Sequence, residues 1–423
     1  MARPSAQIAK LSALTDVSIA RPILDSINWT FSTPFSVGRS GMHLFDCRRH
    51  HWYPATFIPE IPYTLIEVLS KPGAVIYDPF GGIGTSVFQS LLLGREPYAT
   101  ELGRVAVDFI QSMWTLFQGQ SDLSKMLSDF EKIKCRYNEK VDYAKALAKS
   151  TVRVELLRPW FSPQTFNQLM YLALIEHKKR HPESKAAMRI AFSATLKAAC
   201  AQDRGWGCIA DNMLPRPVQL KKPRNALDQF GRKLASLLKD IGDVRQALPS
   251  RTLQFLSAIN VDSRVQRGDL RTSQLVPNAG VDLVVTSPPY PNMTDYALSQ
   301  RLSYYWLGSD PTSDLVEEIG ARRKRNVSTA LQKYLTEMKE VMKLISIKLR
   351  SGGYACFVMP EFESDKHNNI ERRRVVQECL AFLPANGLVL EQELQRILPS
   401  RRRHHNQKWT TLERELIFVY RKS

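Results

Sequence analysis

No stretch of this 423-residue chain approaches the roughly 20 apolar residues that a membrane span requires. Its first residues, MARPSAQIAKLSALTDVSIARP, hold no uninterrupted apolar run of the signal-peptide kind. A cytoplasmic protein without membrane contact is therefore expected. Cysteine is sparse: the six, at 47, 135, 200, 208, 356 and 379, form no Cys-x-x-Cys pair and have no histidine at zinc-finger spacing. That excludes a disulfide framework and a zinc module, leaving reduced structural thiols and no metal site. No segment repeats at a fixed period and none is of low complexity. Acidic residues are the minority, 41 Asp and Glu against 59 Lys and Arg, a formal charge of +18. An enzyme of small neutral metabolites gains nothing obvious from such an excess, so a polyanionic partner is indicated. What the chain does have is 43% hydrophobic residues, ample for a core.

Between Ile61 and Leu102 helix and strand patterns alternate: a helical PYTLIEVLS, a Lys-Pro-Gly break, the strand AVIYDPF, a glycine turn, the helix TSVFQSLLLG and the strand EPYATEL. This is a βαβ unit opening a parallel sheet. Strand patterns return with SAINVDSRVQRGDL, VDLVVTSPPY and, after the amphipathic YLTEMKEVMKLISIKLR, GGYACFVMPE, with RILPSR and ERELIFVYRK closing the chain as a hairpin. The intervening stretch, 105–255, reads as helical throughout. Within it, residues 151–251 carry 18 Lys and Arg against 8 Asp and Glu, more than half of the net charge. The expected division is therefore an α/β domain made of 1–104 and 256–423, interrupted by a basic helical lobe that is a candidate DNA-binding and target-recognition element.

The turn Asp78-Pro79-Phe80-Gly81-Gly82-Ile83-Gly84-Thr85 lies where a strand ends and a helix begins, the place where open α/β sheets bind ligands. It lacks the lysine of a P-loop, and Val87 replaces the third glycine of a dinucleotide motif. Glu101 closes the next strand, where an acid commonly takes ribose hydroxyls, and Asp269 after the following strand can accept from an adenine amine. Three strand ends thus offer a nucleoside site without a phosphate-binding lysine.

The strand VDLVVT then runs into Ser287-Pro288-Pro289-Tyr290. DPFGGIGT followed by TSPPY resembles the S-adenosylmethionine-dependent DNA amino-methyltransferases, which methylate the exocyclic amine of cytosine (N4) or adenine (N6). The resemblance spans most of 40–110 and 258–423. It implies a Rossmann-like methyltransferase sheet, mainly parallel with a C-terminal antiparallel hairpin, and S-adenosylmethionine as cofactor. An amine conjugated to a ring is a poor nucleophile until acceptors bind its hydrogens. Proline has no N–H and fixes φ, so Pro288 and Pro289 present a carbonyl rigidly, while Ser287 supplies a hydroxyl acceptor and also borders the cofactor. A base within a duplex is out of reach and must be flipped, with Tyr290 placed to stack on it. By the resemblance, serine at the first position favours cytosine N4. A cytosine C5 enzyme would need a cysteine nucleophile, and none lies near this motif.

The segment Arg48-Arg49-His50-His51-Trp52-Tyr53-Pro54-Ala55-Thr56-Phe57 resembles the family segment that closes over the cofactor, with Pro54, Thr56 and Phe57 lining it. In this reading Asp78, Pro79 and Thr85 belong to the cofactor site, Phe80, Gly82 and Gly84 border the methionine end, Glu101 the ribose and Asp269 the adenine. Candidate DNA contacts are Lys221 and Lys222, the run Arg322-Arg323-Lys324-Arg325, and Arg401-Arg402-Arg403. In one respect the chain departs from the family arrangement: the insertion precedes the Gly268-Asp269 strand, so Pro291 to Lys333 is a second candidate for reading bases. The expected partner is double-stranded DNA, with a companion restriction endonuclease in a prokaryotic, nucleoid-associated setting. Adenine N6 chemistry, an RNA or protein-amide substrate, and a nucleic-acid-binding protein with an inactive fold are the alternatives.

Overall fold

The computed structural model describes residues 20–31, 44–202, 214–326, 329–362, 367–398, 412 and 414–423. Seven strands form one sheet in the order β3-β2-β1-β4-β5-β7-β6. They are β1 (Val75–Asp78), β2 (Glu96–Glu101), β3 (Val265–Arg267), β4 (Val281–Thr286), β5 (Leu349–Glu361), β6 (Leu388–Ile397) and β7 (Arg414–Lys422). The first five pair in parallel, and β7 enters antiparallel between β5 and β6. This is the mainly parallel Rossmann-like sheet with a C-terminal antiparallel pair that the sequence led us to expect.

Strand periodicity places side chains on both faces. Ile76, Leu283, Val285, Cys356, Val358, Ile417 and Val419 pack with helix α1 (Glu60–Leu69) through Ile61, Leu65 and Ile66. Their alternates Tyr77, Val284, Ala355, Phe357, Phe418 and Tyr420 face the opposite way. They are joined there by Met338, Val341, Met342 and Ile345 of the helix Ala330–Lys348. With both faces covered, the strands read as near-continuous apolar runs.

Helix α2 (Thr85–Leu92) joins β1 to β2, and α3 (Arg104–Gln118) follows β2 and packs beside Ala99 and Val265 through Ala106, Ile110 and Met113. Then come α4 (Leu123–Cys135), α5 (Pro163–Lys178), α6 (Pro182–Ala199), α7 (Ala226–Ala247) and α8 (Ser250–Ala258). Among the described residues of 105–255 no strand interrupts them. Phe130, Phe166, Phe192, Phe230 and Leu237 carry one buried cluster from these helices into the core flank of the sheet.

Two strand boundaries differ from expectation. Of SAINVDSRVQRGDL only Val265–Arg267 is a strand, because Asn260 accepts a hydrogen bond from the Asp262 amide at 3.0 Å and caps a 3₁₀ turn just before it. The strand expected at RILPSR begins earlier, at Leu388. Its inward positions include Gln392 and Arg396, buried because Gln392 bonds Asp25 and Arg396 bonds Glu415, so the apolar alternation is broken in sequence but not in space. Arg401, Arg402 and Arg403 lie outside the described residues.

After β1 the chain winds outward to β2 and β3, then returns to set β4 on the other flank of β1. The carboxyl ends of β1 and β4 are thus neighbours whose connections leave in opposite directions. That opens a crevice between them.

Candidate functional site

The crevice is a cavity of about 890 Å³ at the ends of β1, β2, β3 and β4. From the sequence-derived set it gathers Pro54, Thr56, Phe57, Pro79, Phe80, Gly82, Thr85, Glu101, Asp269, Ser287 and Pro289 around one space. The turn after β1 is shaped by two left-handed glycines. Gly82 has φ +51° and faces open space, since an added Cβ would meet only the Tyr53 ring, at 3.9 Å, and the Phe80 carbonyl. Gly84 has φ +82°, and its missing Cβ makes room for Phe88 at 2.9 Å and Ile110 at 3.0 Å. Gly84 therefore does not line the cavity as expected; it lets α2 pack.

Glu101 is fixed by two backbone donors, the amides of Gly82 at 2.8 Å and Gly103 at 2.7 Å. It thereby bridges the β1 turn and the end of β2. Burial pushes its carboxyl up to about 7 against those two bonds, with Asp78 and Asp314 adding repulsion. Asp78 is not at the cavity. It is buried, accepts from the Phe80 amide at 3.1 Å and from the Thr286 hydroxyl at 2.7 Å, and so ties the end of β1 to the end of β4. Burial raises it to about 6. Asp269 does border the cavity, but its carboxylate is gripped by the Arg271 guanidinium at 2.5 Å, which leaves fewer lone pairs for an adenine amine.

At the end of β4 the Ser287 hydroxyl donates to the Val358 carbonyl at 3.3 Å, keeping oxygen lone pairs available as acceptors. The Pro289 carbonyl is occupied by the Tyr334 hydroxyl at 2.9 Å. The Pro288 carbonyl accepts no hydrogen bond among the described residues. Tyr290 departs from the stacking role expected of it. Its ring is 7% exposed and its hydroxyl donates to Glu415 at 3.0 Å, which in turn pairs with Arg396. The aromatic walls of the cavity are instead Tyr53, Phe57, Phe80 and Tyr296, with Tyr53 and Tyr296 stacked at 6.0 Å.

Sequence reasoning missed four groups here. Tyr53 adjoins the quoted Pro54 and was within reach. Tyr296, Asp314 and Glu318 come from a stretch whose basic run drew attention instead. Asp314 binds the Tyr304 hydroxyl at 2.5 Å and the Arg267 guanidinium at 2.7 Å. Glu318 is 6% exposed; its Oε1 accepts from the Ala297 amide at 2.5 Å, and its Oε2 has no hydrogen-bond partner among the described residues. Burial raises Glu318 to about 8, helped by Asp295 and Glu101. Five carboxyl residues, Glu101, Asp269, Asp314, Glu317 and Glu318, line this cavity, and no Lys or Arg does so among the described residues.

Of the residues expected at DNA, Lys221 and Lys222 are exposed in the turn between the short helix Pro217–Leu220 and α7. Lys324 is turned inward, its ammonium donating to the Val316 and Glu318 carbonyls at 2.9 and 2.7 Å. Arg322 and Arg323 lie in the 3₁₀ segment Arg322–Asn326 with Arg325, whose side chain is outside the described set. No group of three or more His, Cys, Asp or Glu among the described residues forms a metal cluster, and no described helix is long and apolar enough to cross a membrane.

No protein-family profile matches the chain. It is similar to the Type II methyltransferase M.MvaI of Kocuria varians, 26% identical over 269 residues, covering 61% of this chain and 57% of that protein. It is also similar to the Type II methyltransferase M.MjaII of Methanocaldococcus jannaschii, 21% identical over 371 residues, covering 69% of this chain and 68% of that protein. The match thus spans little more than half the length of the first of these relatives. Among solved structures, the rRNA methyltransferase aviRa of Streptomyces viridochromogenes aligns over 90% of this chain and 95% of its own at 9% identity, with a TM-score of 0.32.

Proposed function

We propose that this chain is an S-adenosylmethionine-dependent DNA methyltransferase acting on the exocyclic N4 amine of cytosine in double-stranded DNA. The observation that carries the reading is the meeting of the Pro79–Thr85 turn and the Ser287–Tyr290 strand end at one acid-lined cavity on adjacent strands β1 and β4. The similarity to two Type II methyltransferases supports it.

The donor set fits the cofactor. A cavity lined by carboxyl groups without lysine or arginine suits a cation and repels a phosphate, so it matches a sulfonium ligand better than a dinucleotide. The Gly82 amide, which a phosphate would need, is already bonded to Glu101. Glu101 and Gly82 would border the ribose, Phe80 and Asp269 the adenine side, and Phe57, Thr85 and Ser287 the methionine end. The bound cofactor supplies an electrophilic methyl group. The protein's share is to orient the nucleophile. The Ser287 hydroxyl oxygen and the Pro288 carbonyl accept the two amine hydrogens and turn the lone pair out of conjugation, with the proline rings holding both acceptors in register. The cytosine reaches them by flipping out of the duplex. Tyr53 and Tyr296 are better placed than the buried Tyr290 to flank it. A restriction endonuclease of matching specificity is the companion that such a modification would counter.

Incubation with methyl-labelled S-adenosylmethionine and mixed-sequence duplex DNA, followed by digestion to nucleosides, tests the reading. Label in N4-methyldeoxycytidine is the expected outcome. Label in N6-methyldeoxyadenosine would keep the site and overturn the base, while label in RNA alone would overturn the substrate.

A further inference from the structure

A second cavity, an open cleft of about 1180 Å³ including solvent space, adjoins the first on the side of the inserted lobe. Its walls come from the core segments 48–52 and 299–303 and from α6 and α7, so insertion and core meet there. The two cavities share a partition. His51 and Trp52 face one and Tyr53 and Pro54 the other, and likewise Ser299 and Tyr296. The Gln300 amide pins the partition by donating to the Trp52 carbonyl at 3.0 Å.

The second cavity has the opposite charge of the first. Arg48, Arg49, Lys197, Arg224 and Lys233 line it, and no Asp or Glu does so among the described residues. Two of these are neutralised from behind: Arg48 pairs with Asp46 at 2.7 Å, and Arg49 with Asp240 at 2.9 Å. Arg224 is held by the main-chain carbonyls of Ala198, Cys200 and Gln202, which satisfy its donors but leave its charge. Neither it nor Lys233 meets a carboxylate among the described residues. Lys197 lies over the Trp52 ring at 3.0 Å, and burial, with smaller repulsion from Lys197 and Lys233, lowers His51 to about 4. Positive charge concentrated in a cleft is the footing for a phosphate.

Resting on the DNA methyltransferase reading, we propose that this cavity seats the phosphodiester backbone of the DNA strand whose base enters the acidic cavity. A cation-binding and an anion-binding space separated by one partition put the methyl donor and the strand backbone on opposite sides of Tyr53 and Trp52. The lining from both lobes makes the insertion a clamp on the strand.

Fluorescence anisotropy with a labelled DNA duplex, titrated across salt concentrations, tests this on the full chain in variants Lys233→Glu and Lys197→Gln, with Lys132→Gln on exposed α4 as control. Each cavity variant is expected to bind at least roughly 10-fold more weakly at low salt, and the slope of log affinity against log salt to fall by about 0.9 for each lost phosphate contact. Retained S-adenosylmethionine binding shows that the variants are folded. Wild-type affinity and slope in both would overturn the proposal while leaving DNA methylation standing. If wild type neither binds nor methylates duplex DNA, the functional reading and this one fall together. Equal affinity for deoxycytidine monophosphate and for duplex would overturn the strand assignment in favour of a small ligand.

Discussion

In the proposed reaction Ser287 orients the nucleophile. Its hydroxyl is oriented by Val358 and makes no contact with the Glu101 end of the cavity, so Ser287→Ala should lower turnover about 100-fold, the scale of one lost positioning bond at the reacting group, while S-adenosylmethionine binding stays within about 2-fold. Single-turnover rates and calorimetry separate the two quantities. Glu318 gives a prediction of a different kind. Its folded-state carboxyl titrates near 8, above its ordinary value of 4.5, so ionisation is disfavoured by folding. The contribution of Glu318 to stability is fully present below about pH 4.5 and is lost as pH rises through about 8, at up to about 1.4 kcal/mol per pH unit. Glu318→Gln should flatten the fall in Tm between pH 5.5 and 8 in the ligand-free protein. A cationic ligand selects the ionised form, so its affinity should rise with pH over the same window in wild type and rise less in the variant. An unchanged Tm profile would remove Glu318 from this role.

Among the elements, the turn between β1 and α2 divides its glycines by task. Gly84→Ala must accommodate φ +82° and a contact at 2.9 Å with Phe88, so a loss of about 2–3 kcal/mol in unfolding free energy is expected, read by chemical denaturation. Gly82→Ala carries only the conformational cost of about 1 kcal/mol, because the space around it is open, yet its methyl would project into the cavity and weaken cofactor binding at least 10-fold. The sequence motif marks both positions as glycine and cannot distinguish them, since one is set by a neighbouring helix and the other by empty volume. The βαβ start and the long helix before β5 were legible because local periodicity follows burial there. The register of β6 was not, because Gln392 and Arg396 are buried by partners far away in the chain.

At the scale of the molecule, the proposed reaction needs only acceptors and a positioned methyl donor, so methyl transfer should be unchanged by EDTA. Loss of activity in chelator would overturn the mechanism. A basic α/β protein with a glycine turn and a Ser-Pro-Pro-Tyr strand end is legible in the residues, because strand and helix periodicity, turn residues and net charge are local or additive properties. Which residues share a space emerges only in three dimensions. Folding set β1 beside β4 across an interval of some two hundred residues, drew Tyr53, Tyr296 and Glu318 to the cavity, turned Tyr290 away from it, and separated the acids from the bases into two adjoining cavities. Side-chain direction and desolvation depend on neighbours that are distant in sequence, and no local pattern encodes them.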